Sequence, residues 1–387
     1  MYNYYGDKMI YLDYSATTPV LDEVLNSYIK VTKEYIGNAN SLHSLGTKSK
    51  VLLQSATKQI CELLNIEEEE LIITSGATES NNTALKGIAE TYSNRGKHII
   101  VSKLEHPSIY KVCEYLEKHG YEISYVENND QGLIDFDDLK NKVKEDTILV
   151  SICAVNSEVG IRQPLKTIRQ IIKKQNPNTI FHSDMTQALG KVQVNFHDVD
   201  LASCSSHKIY GPKGIGILYK NKKINIEPLI HGTGKSNELR PGTPALPLIV
   251  SFSKALRIAL QDLEKKEEYV TKLNKIICAE LSKLDSLVLN KTNYSIPYIL
   301  NLSTLNIKPE TFVHALEENE VYVSTNTACS SGDVSTAIMA IYNDKQRAKT
   351  TIRISLSYLT SIEEINKFIK IFKTEYNKLN KFMGDKL

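Results

Sequence analysis

Between residues 71 and 220 short apolar runs alternate with longer helix-like stretches, and this alternation leaves the chain very few ways to fold. Strand-like runs fall at 71–74, 97–103, 121–127, 147–155, 179–185, 200–206 and 214–220, with helix-like segments around 77–90, 107–118, 135–145 and 164–175. Strands joined through helices pair in parallel, because such a crossover is long enough to return the chain to the same edge of the sheet. The expectation is therefore α/β: a mostly parallel seven-stranded sheet with helices on both faces. In sheets of this kind ligand groups collect beyond the carboxyl ends of the strands. Thr78, His106, Asn156, Asp184 and Lys208 all fall there.

The rest of the chain needs a second, smaller unit, since 387 residues exceed what one core usually encloses. A helix near 20–34 and an apolar stripe over 48–64 precede the first sheet strand. An interrupted helix from about 244 to 284 leads into strand-like runs at 297–302 and 321–324, with helices near 309–319 and 362–380. Lys and Arg number 47 against 45 Asp and Glu, a net charge of +2, which argues against a protein that grips nucleic acid or acidic membranes with its whole surface. The short pairs Lys173-Lys174, Lys222-Lys223 and Lys265-Lys266 read as solvated faces. Six cysteines without a C-x-x-C spacing argue against a disulfide framework or a structural zinc. No apolar run is long enough for a membrane span and no leader pattern opens the chain, so the expected compartment is the reducing cytoplasm.

Three segments carry candidate chemistry. Ser205-Ser206-His207-Lys208-Ile209-Tyr210-Gly211-Pro212 places a lysine between an apolar run and a turn rich in Gly and Pro. A lysine that forms an imine needs partial desolvation, and a neighbouring cation such as His207 is expected to lower its pKa further. Read alone, Lys208 fits a solvated turn residue as well. Asp184 ends the run Ile180-Phe181-His182-Ser183, 24 residues earlier, where an ionised carboxylate could keep a pyridine nitrogen protonated or could cap the turn that follows. Leu71-Ile72-Ile73-Thr74-Ser75-Gly76-Ala77-Thr78 is a strand, a glycine turn and a helix start, so the free N–H groups of Ala77 and Thr78 and the Thr78 hydroxyl can face an anion. An ordinary cap explains that segment equally well.

In this order the three segments resemble fold-type I pyridoxal-phosphate enzymes of the class V aminotransferase group. Tyr11-Leu12-Asp13-Tyr14-Ser15-Ala16-Thr17-Thr18-Pro19, Thr74-Ser75-Gly76-Ala77-Thr78-Glu79-Ser80-Asn81, Glu105-His106, Val155-Asn156 and His207-Lys208-Ile209-Tyr210-Gly211-Pro212-Lys213-Gly214 are similar to the NifS/IscS-type cysteine desulfurases. The resemblance implies a large cofactor domain over 17–258 and a small α+β domain of 1–16 and 259–387. It implies pyridoxal 5'-phosphate held by Ala77, Thr78, His106, Asn156, Asp184, Gln187, Ser205, His207 and Lys208. It also implies a homodimer in which Thr243 reaches the neighbouring subunit's site.

By the same resemblance His106 stacks on the ring and serves as an acid/base near the substrate thiol, while Asn156 and Gln187 orient the ring's phenolic oxygen. Structural roles for the histidine and both amides remain open on the residues alone. Arg353, in Thr351-Ile352-Arg353-Ile354-Ser355, is the expected clamp for an L-cysteine α-carboxylate, with Asn156 beside it; a solvated edge-strand arginine is the other reading. Cys61, Cys113, Cys153, Cys204 and Cys278 sit among apolar or helical neighbours and read as packing residues. Cys329 lies in the small, polar stretch Asn326-Thr327-Ala328-Cys329-Ser330-Ser331-Gly332, within a loop spanning about 324–345, and the resemblance makes it the sulfur-accepting nucleophile.

The implied reaction converts L-cysteine to L-alanine, with sulfur passed to Cys329 as a persulfide and on to an acceptor protein for iron–sulfur or thiolation pathways. Neither a resident metal nor direct nucleic-acid binding is expected. A class V aminotransferase, a selenocysteine lyase and a non-catalytic sulfur-delivery subunit are the alternatives. Five departures stand out: Ala39 in place of a proline in Gly37-Asn38-Ala39-Asn40-Ser41-Leu42-His43, the altered loop 231–243, Asp333-Val334-Ser335-Thr336-Ala337-Ile338-Met339 in place of a Leu-rich stretch after the cysteine, Ser357-Tyr358 in place of Gly-Arg, and a short C-terminal tail.

Overall fold

The computed structural model describes residues 9–233, 238–325 and 334–384. Seven strands form the main sheet: β1 (Leu71–Thr74), β2 (His98–Ser102), β3 (Glu122–Val126), β4 (Thr147–Ser151), β5 (Ile180–Asp184), β6 (Leu201–Ser205) and β7 (Gly216–Lys220). Their order across the sheet is β1-β7-β6-β5-β4-β2-β3. Only β7 runs antiparallel to its neighbours, because it follows β6 through a short loop over 206–215 instead of a crossover helix. The carboxyl ends of the other six, and the start of β7, therefore share one edge.

Side chains alternate between two buried faces. Ile99, Val101, Leu149, Ile180, Leu201 and Leu218 pack on one side with the helices Ala77–Thr91 and Pro107–Glu117. Ile100, Val150, Phe181, Ala202, Cys204 and Ile217 face the other, against the helices Leu165–Gln175 and Leu246–Leu260. Being covered on both sides is why these strands read as continuous apolar runs. Each fully buried Ile, Leu, Val or Phe contributes roughly 1.5–3 kcal/mol relative to exposure.

A second sheet is antiparallel, with Thr351–Ser355 between Ile299–Ser303 and Ser324–Thr325, and Val288–Leu289 at its far edge. Ile10–Tyr11 pairs in parallel with Val321–Tyr322, and the Ser355 N–H donates to Leu12 O. The segment before the main sheet is thus sewn into elements more than 300 residues further along. The long helical region is interrupted at Gln261 and Asp262, where Asp262 adopts φ +51°, separating Leu246–Leu260 from Leu263–Leu281.

The run expected as a strand over 147–155 stops at Ser151. Asn156 turns the chain there, its Oδ1 accepting from the N–H groups of Glu158 and Val159, and Gly160 follows at φ +71°. His43 is the N-cap of the helix Ser44–Leu64, its Nδ1 accepting from Gly46 N, and Asn38 Oδ1 accepts from Asn40 N. Among the described residues no helix is long and apolar enough to cross a membrane, and no cluster of His, Cys, Asp and Glu could hold a metal ion.

Glycines fix the closest approach at the functional edge. Gly76 has φ +153° and ψ 178°, a region open almost only to glycine. A Cβ on Gly216 would lie 2.5 Å from Cys204 O and 2.7 Å from Gly76 Cα. Gly216→Ala is expected to lower unfolding stability by about 1–3 kcal/mol through this overpacking, read as a drop in the denaturant midpoint at unchanged slope. An unchanged midpoint would show that the edge is loosely packed.

Candidate active site

The turn between β6 and β7 carries Lys208, and its backbone is held from several directions. Residues Ser206–Lys208 form one 3-10 turn, after which Tyr210 adopts φ +66°, an uncommon conformation for a bulky side chain. Its N–H donates to Thr18 Oγ1 at 2.8 Å, its hydroxyl is 2.6 Å from Ser357 Oγ, and its ring meets Tyr358 edge-on with centroids 5.0 Å apart. Ser357 and Tyr358, which depart from the expected Gly-Arg, thus form the wall that holds this strained residue.

Lys208 Nζ donates to the carbonyls of Ser15 at 2.5 Å and Ala16 at 2.6 Å. Burial, then the positive charge of Arg353, push its pKa down to about 8, while Asp13 and Asp184 oppose the fall. The expectation that His207 would act as the neighbouring cation is not met. His207 is itself held neutral, its pKa driven to about 4 by burial and the surrounding lysines, and its Nδ1 lies 3.1 Å from Thr17 Oγ1.

Asp184 closes β5 and is buried. Its Oδ2 accepts from Asn81 Nδ2 at 2.8 Å, and its Oδ1 from Thr186 N at 2.9 Å. Asn81 also donates to Ser108 Oγ at 2.9 Å, joining the helix after β1 to the helix after β2. Beneath the carboxylate, His182 is fixed between Ser151 Oγ and Ser203 Oγ and kept neutral by burial.

His106 is the N-cap of Pro107–Glu117. Its Nδ1 accepts from Ser108 N at 3.1 Å, so the neutral ring carries its proton on Nε2. Burial and the charge of Lys208 lower its pKa, and Asp184 acts the other way. The structural and chemical readings of this histidine therefore coexist. Glu105 beside it is buried and pushed up to about 8, with Oε1 accepting from Ser102 Oγ and Cys153 N and with Oε2 unpartnered.

The two amides are both engaged by backbone. Asn156 gives its Oδ1 to the turn already described and its Nδ2 to Leu104 O at 2.8 Å. Gln187 Nε2 donates to Ser15 O at 2.9 Å. Each retains one N–H without a partner among the described residues. Arg353 is not an edge-strand residue: it is buried on an inner strand, its terminal nitrogens donating to Ser157 O and Asp13 Oδ1 at 3.0 Å each, and its Nε has no partner. Asp13 thus belongs to the site, a residue whose role the sequence pattern left unassigned.

An anion could seat at the edge beside Lys208. Gly76 supplies no side-chain cap to Ala77–Thr91, so the first-turn N–H groups of Ala77 and Thr78 are open, and the buried Ser205 Oγ makes no hydrogen bond among the described residues. Thr243 is exposed and lines a groove of about 690 Å³ with Thr74, Ser75, Gly214 and Arg240. Arg240 Nε pairs with Glu79 at 3.0 Å, bracing this wall. Cys329 lies outside the described residues. The other five cysteines are free thiols whose pKa values are all raised, chiefly by burial, Cys61 to about 11 and Cys113 to about 12.

Depression of Lys208 has a signed consequence for stability. Between pH 8 and its ordinary value near 10.5 the unfolded chain holds a proton that the folded chain has lost, so this residue's contribution becomes more favourable as pH rises through that window. The cofactor-free protein should therefore gain stability relative to Lys208→Met between pH 8 and 10.5. Denaturant midpoints at several pH values check this, and a pH-independent difference would place the Lys208 pKa near its ordinary value.

Comparison with known proteins matches the same frame. The class-V aminotransferase family model covers residues 10–368. Cysteine desulfurase IscS of Dictyoglomus turgidum is 37% identical over 376 residues, 96% of this chain and 95% of that protein. A solved NifS-like protein superposes with a TM-score of 0.90 at 35% identity, covering 95% of this chain and 99% of its own. The solved structure of SspA in complex with cysteine superposes with a TM-score of 0.78 at 28% identity, over 92% of this chain and all of that one.

Proposed function

The chain belongs to the class-V aminotransferase family, within its IscS/NifS group, and from that premise we propose that it is a pyridoxal-phosphate-dependent cysteine desulfurase. The observation that carries the reading is the meeting of a desolvated lysine, a buried carboxylate and a buried arginine at one sheet edge. Arg353 and Asp184 both lie close enough to act electrostatically on Lys208, and a binding module has no need of all three.

The residues fit the cofactor. Open N–H groups at Ala77 and Thr78 and the free Ser205 hydroxyl suit its phosphate, with Thr243 contributed across a homodimer. Asp184 suits the pyridine nitrogen, His106 the ring face, Asn156 and Gln187 the phenolic oxygen. Lys208 would hold it covalently. When bound, pyridoxal phosphate supplies the electron sink for charge left at a substrate Cα.

The chain's own groups account for the remaining steps. Arg353 engages the α-carboxylate of L-cysteine by exchanging part of its Asp13 pairing, and its unpartnered Nε is available for that contact. The Lys208 amine, near pKa 8, moves the Cα proton at physiological pH. The Cys329 thiolate attacks the substrate sulfur; the S–S bond forms as the substrate C–S bond breaks, and alanine leaves after Cα and Cβ are protonated. Cys329 keeps the sulfur as a persulfide for an acceptor protein. The other five thiols, four buried and Cys278 half-buried, all have raised pKa values and support Cys329 by elimination. Free thiols suit a cytoplasmic setting. We assign residues 17–258 to the cofactor domain, and 1–16 with 259–387 to the smaller one.

An exposed apolar band supports the dimer. Leu42 is 100% exposed and Val51 61%, with Ile36 and Leu45 nearby, beside the groove that contains Thr243. Leu42→Asp with Val51→Asp should convert the protein from twice the chain mass to one by light scattering and weaken cofactor retention. A monomeric parent protein would overturn this assignment.

The direct test mixes the pyridoxal-phosphate-loaded protein with L-cysteine and quantifies alanine and reducible sulfide. Equal yields support the reading, and a protein that makes no alanine sinks it. Cys329→Ser should retain the visible cofactor absorbance while losing at least about a hundredfold in turnover. A fully active Ser variant would remove Cys329 from the mechanism.

A further inference from the structure

Lys191 is a buried cation that the reaction above does not use. It is 5% exposed, four residues after Gln187 and just after Gly190 at φ +72°. Among the described residues its Nζ makes one hydrogen bond, to Gln187 Oε1 at 2.5 Å, and no carboxylate pairs with it. Buried lysines ordinarily carry an acid partner, because an isolated ammonium is expensive to desolvate. Here burial, Lys208 and Arg353 all push the amine toward its neutral form. A lysine placed at such cost beside the functional edge has a task that a hydrocarbon chain could not perform.

The task follows from donors and acceptors. Gln187 contacts two groups: Lys191, which offers N–H donors in either protonation state, and Ser15 O, which only accepts. One orientation of the carboxamide satisfies both, with oxygen toward Lys191 and nitrogen toward Ser15. Ser15 O also receives Lys208, so the amide is registered against the carbonyl that holds the reactive amine. Without the Lys191 donor the Gln187 oxygen would be left buried and unpaired, so the carboxamide would gain by rotating that oxygen toward another donor at the cost of its Ser15 contact.

We propose that Lys191 is a positioning residue that locks the Gln187 carboxamide with its nitrogen toward Ser15 O and the cleft, so that Gln187 offers an N–H to an acceptor oxygen on the bound cofactor. This rests on the pyridoxal-phosphate reading above. Lys191 acts through Gln187 and touches neither substrate nor cofactor.

Three variants of the full chain test it: Lys191→Met, which keeps the bulk and removes the donor; Lys191→Gln, which restores an N–H; and Gln187→Ala, alone and combined with Lys191→Met. The readouts are the thermal midpoint of each cofactor-free protein, the visible band of the loaded protein and its pH midpoint, and the pyridoxal phosphate dissociation constant. Lys191→Met is expected to weaken retention about fivefold, the loss of roughly one neutral hydrogen bond, and to shift the band's pH midpoint. Lys191→Gln should restore both to within twofold. Adding Lys191→Met to Gln187→Ala should change neither further.

A Lys191→Met protein with unaltered band and retention, whatever its thermal midpoint, overturns the proposal, as do effects that multiply in the double variant. Should Lys191→Met alone fail to fold, the comparison of the double variant with Gln187→Ala decides, since removing both partners leaves no orphaned group. The crystal structure of cofactor-free Lys191→Met reads the positioning directly: Gln187 Nε2 is expected to leave Ser15 O, and an unmoved amide counts against the proposal. A parent protein that shows no visible band with pyridoxal phosphate overturns the functional reading itself, an outcome separate from unaltered variants of a parent that binds.

Discussion

The Lys208 amine rests on two backbone carbonyls, and the rest of the site is arranged by that contact. Ser15 and Ala16 come from the segment before the main sheet, whereas Lys208 comes from a turn nearly two hundred residues later. Carbonyl dipoles hold an ammonium without neutralising it. The lysine therefore stays desolvated and poised near pH 8, a state that a carboxylate partner would have abolished by raising its pKa. The same segment is fastened on its other side by Leu12 to Tyr322 and Ser355, and by Thr18 to Tyr210 and the His207 carbonyl. A few residues of chain thus tie the turn that carries Lys208 to the sheet that carries Arg353.

Strain on one side of the turn is balanced by packing on the other. Tyr210 in a left-handed conformation is costly, yet its N–H, hydroxyl and ring all have partners, so the surroundings over-determine it. Ser357 and Tyr358 provide two of those partners. The departure from the family's Gly-Arg at these positions therefore keeps the lysine turn rigid by hydroxyl and aromatic contacts.

Much of this was legible in the chain. The period of apolar runs gave the sheet, its helices and the edge at which ligand groups gather, because strands buried on both faces leave an unmistakable signature. Lys208, Asp184 and the Ala77–Thr78 turn were readable because each ends such a run. What the sequence hid were partners supplied by remote backbone and by buried polar side chains. Asp13, Asn81 and Lys191 look like surface residues in a string of letters, and nothing local says that Lys191 faces Gln187 or that the cation beside Lys208 is Arg353 and not His207. The single antiparallel strand β7 is also invisible to periodicity; it follows from the shortness of the connection after Lys208.

The charges in the cleft then constrain what it can hold. Lys208, Arg353 and Lys191 influence one another, while Asp13 and Asp184 are the carboxylates that act on Lys208. Glu105 and Glu158 are pushed toward their neutral forms by burial, and His106 and His207 are pushed toward neutrality as well. Asp184 is occupied by Asn81 and Thr186, and Asp13 by Arg353. An anion at the Ala77–Thr78 edge, where the cofactor phosphate is proposed, or at Arg353, where the substrate carboxylate is proposed, would relieve the mutual repulsion of the cations, whereas a cationic ligand would increase it. A preference for anionic groups therefore arises from the field of the cleft before any specific contact is made.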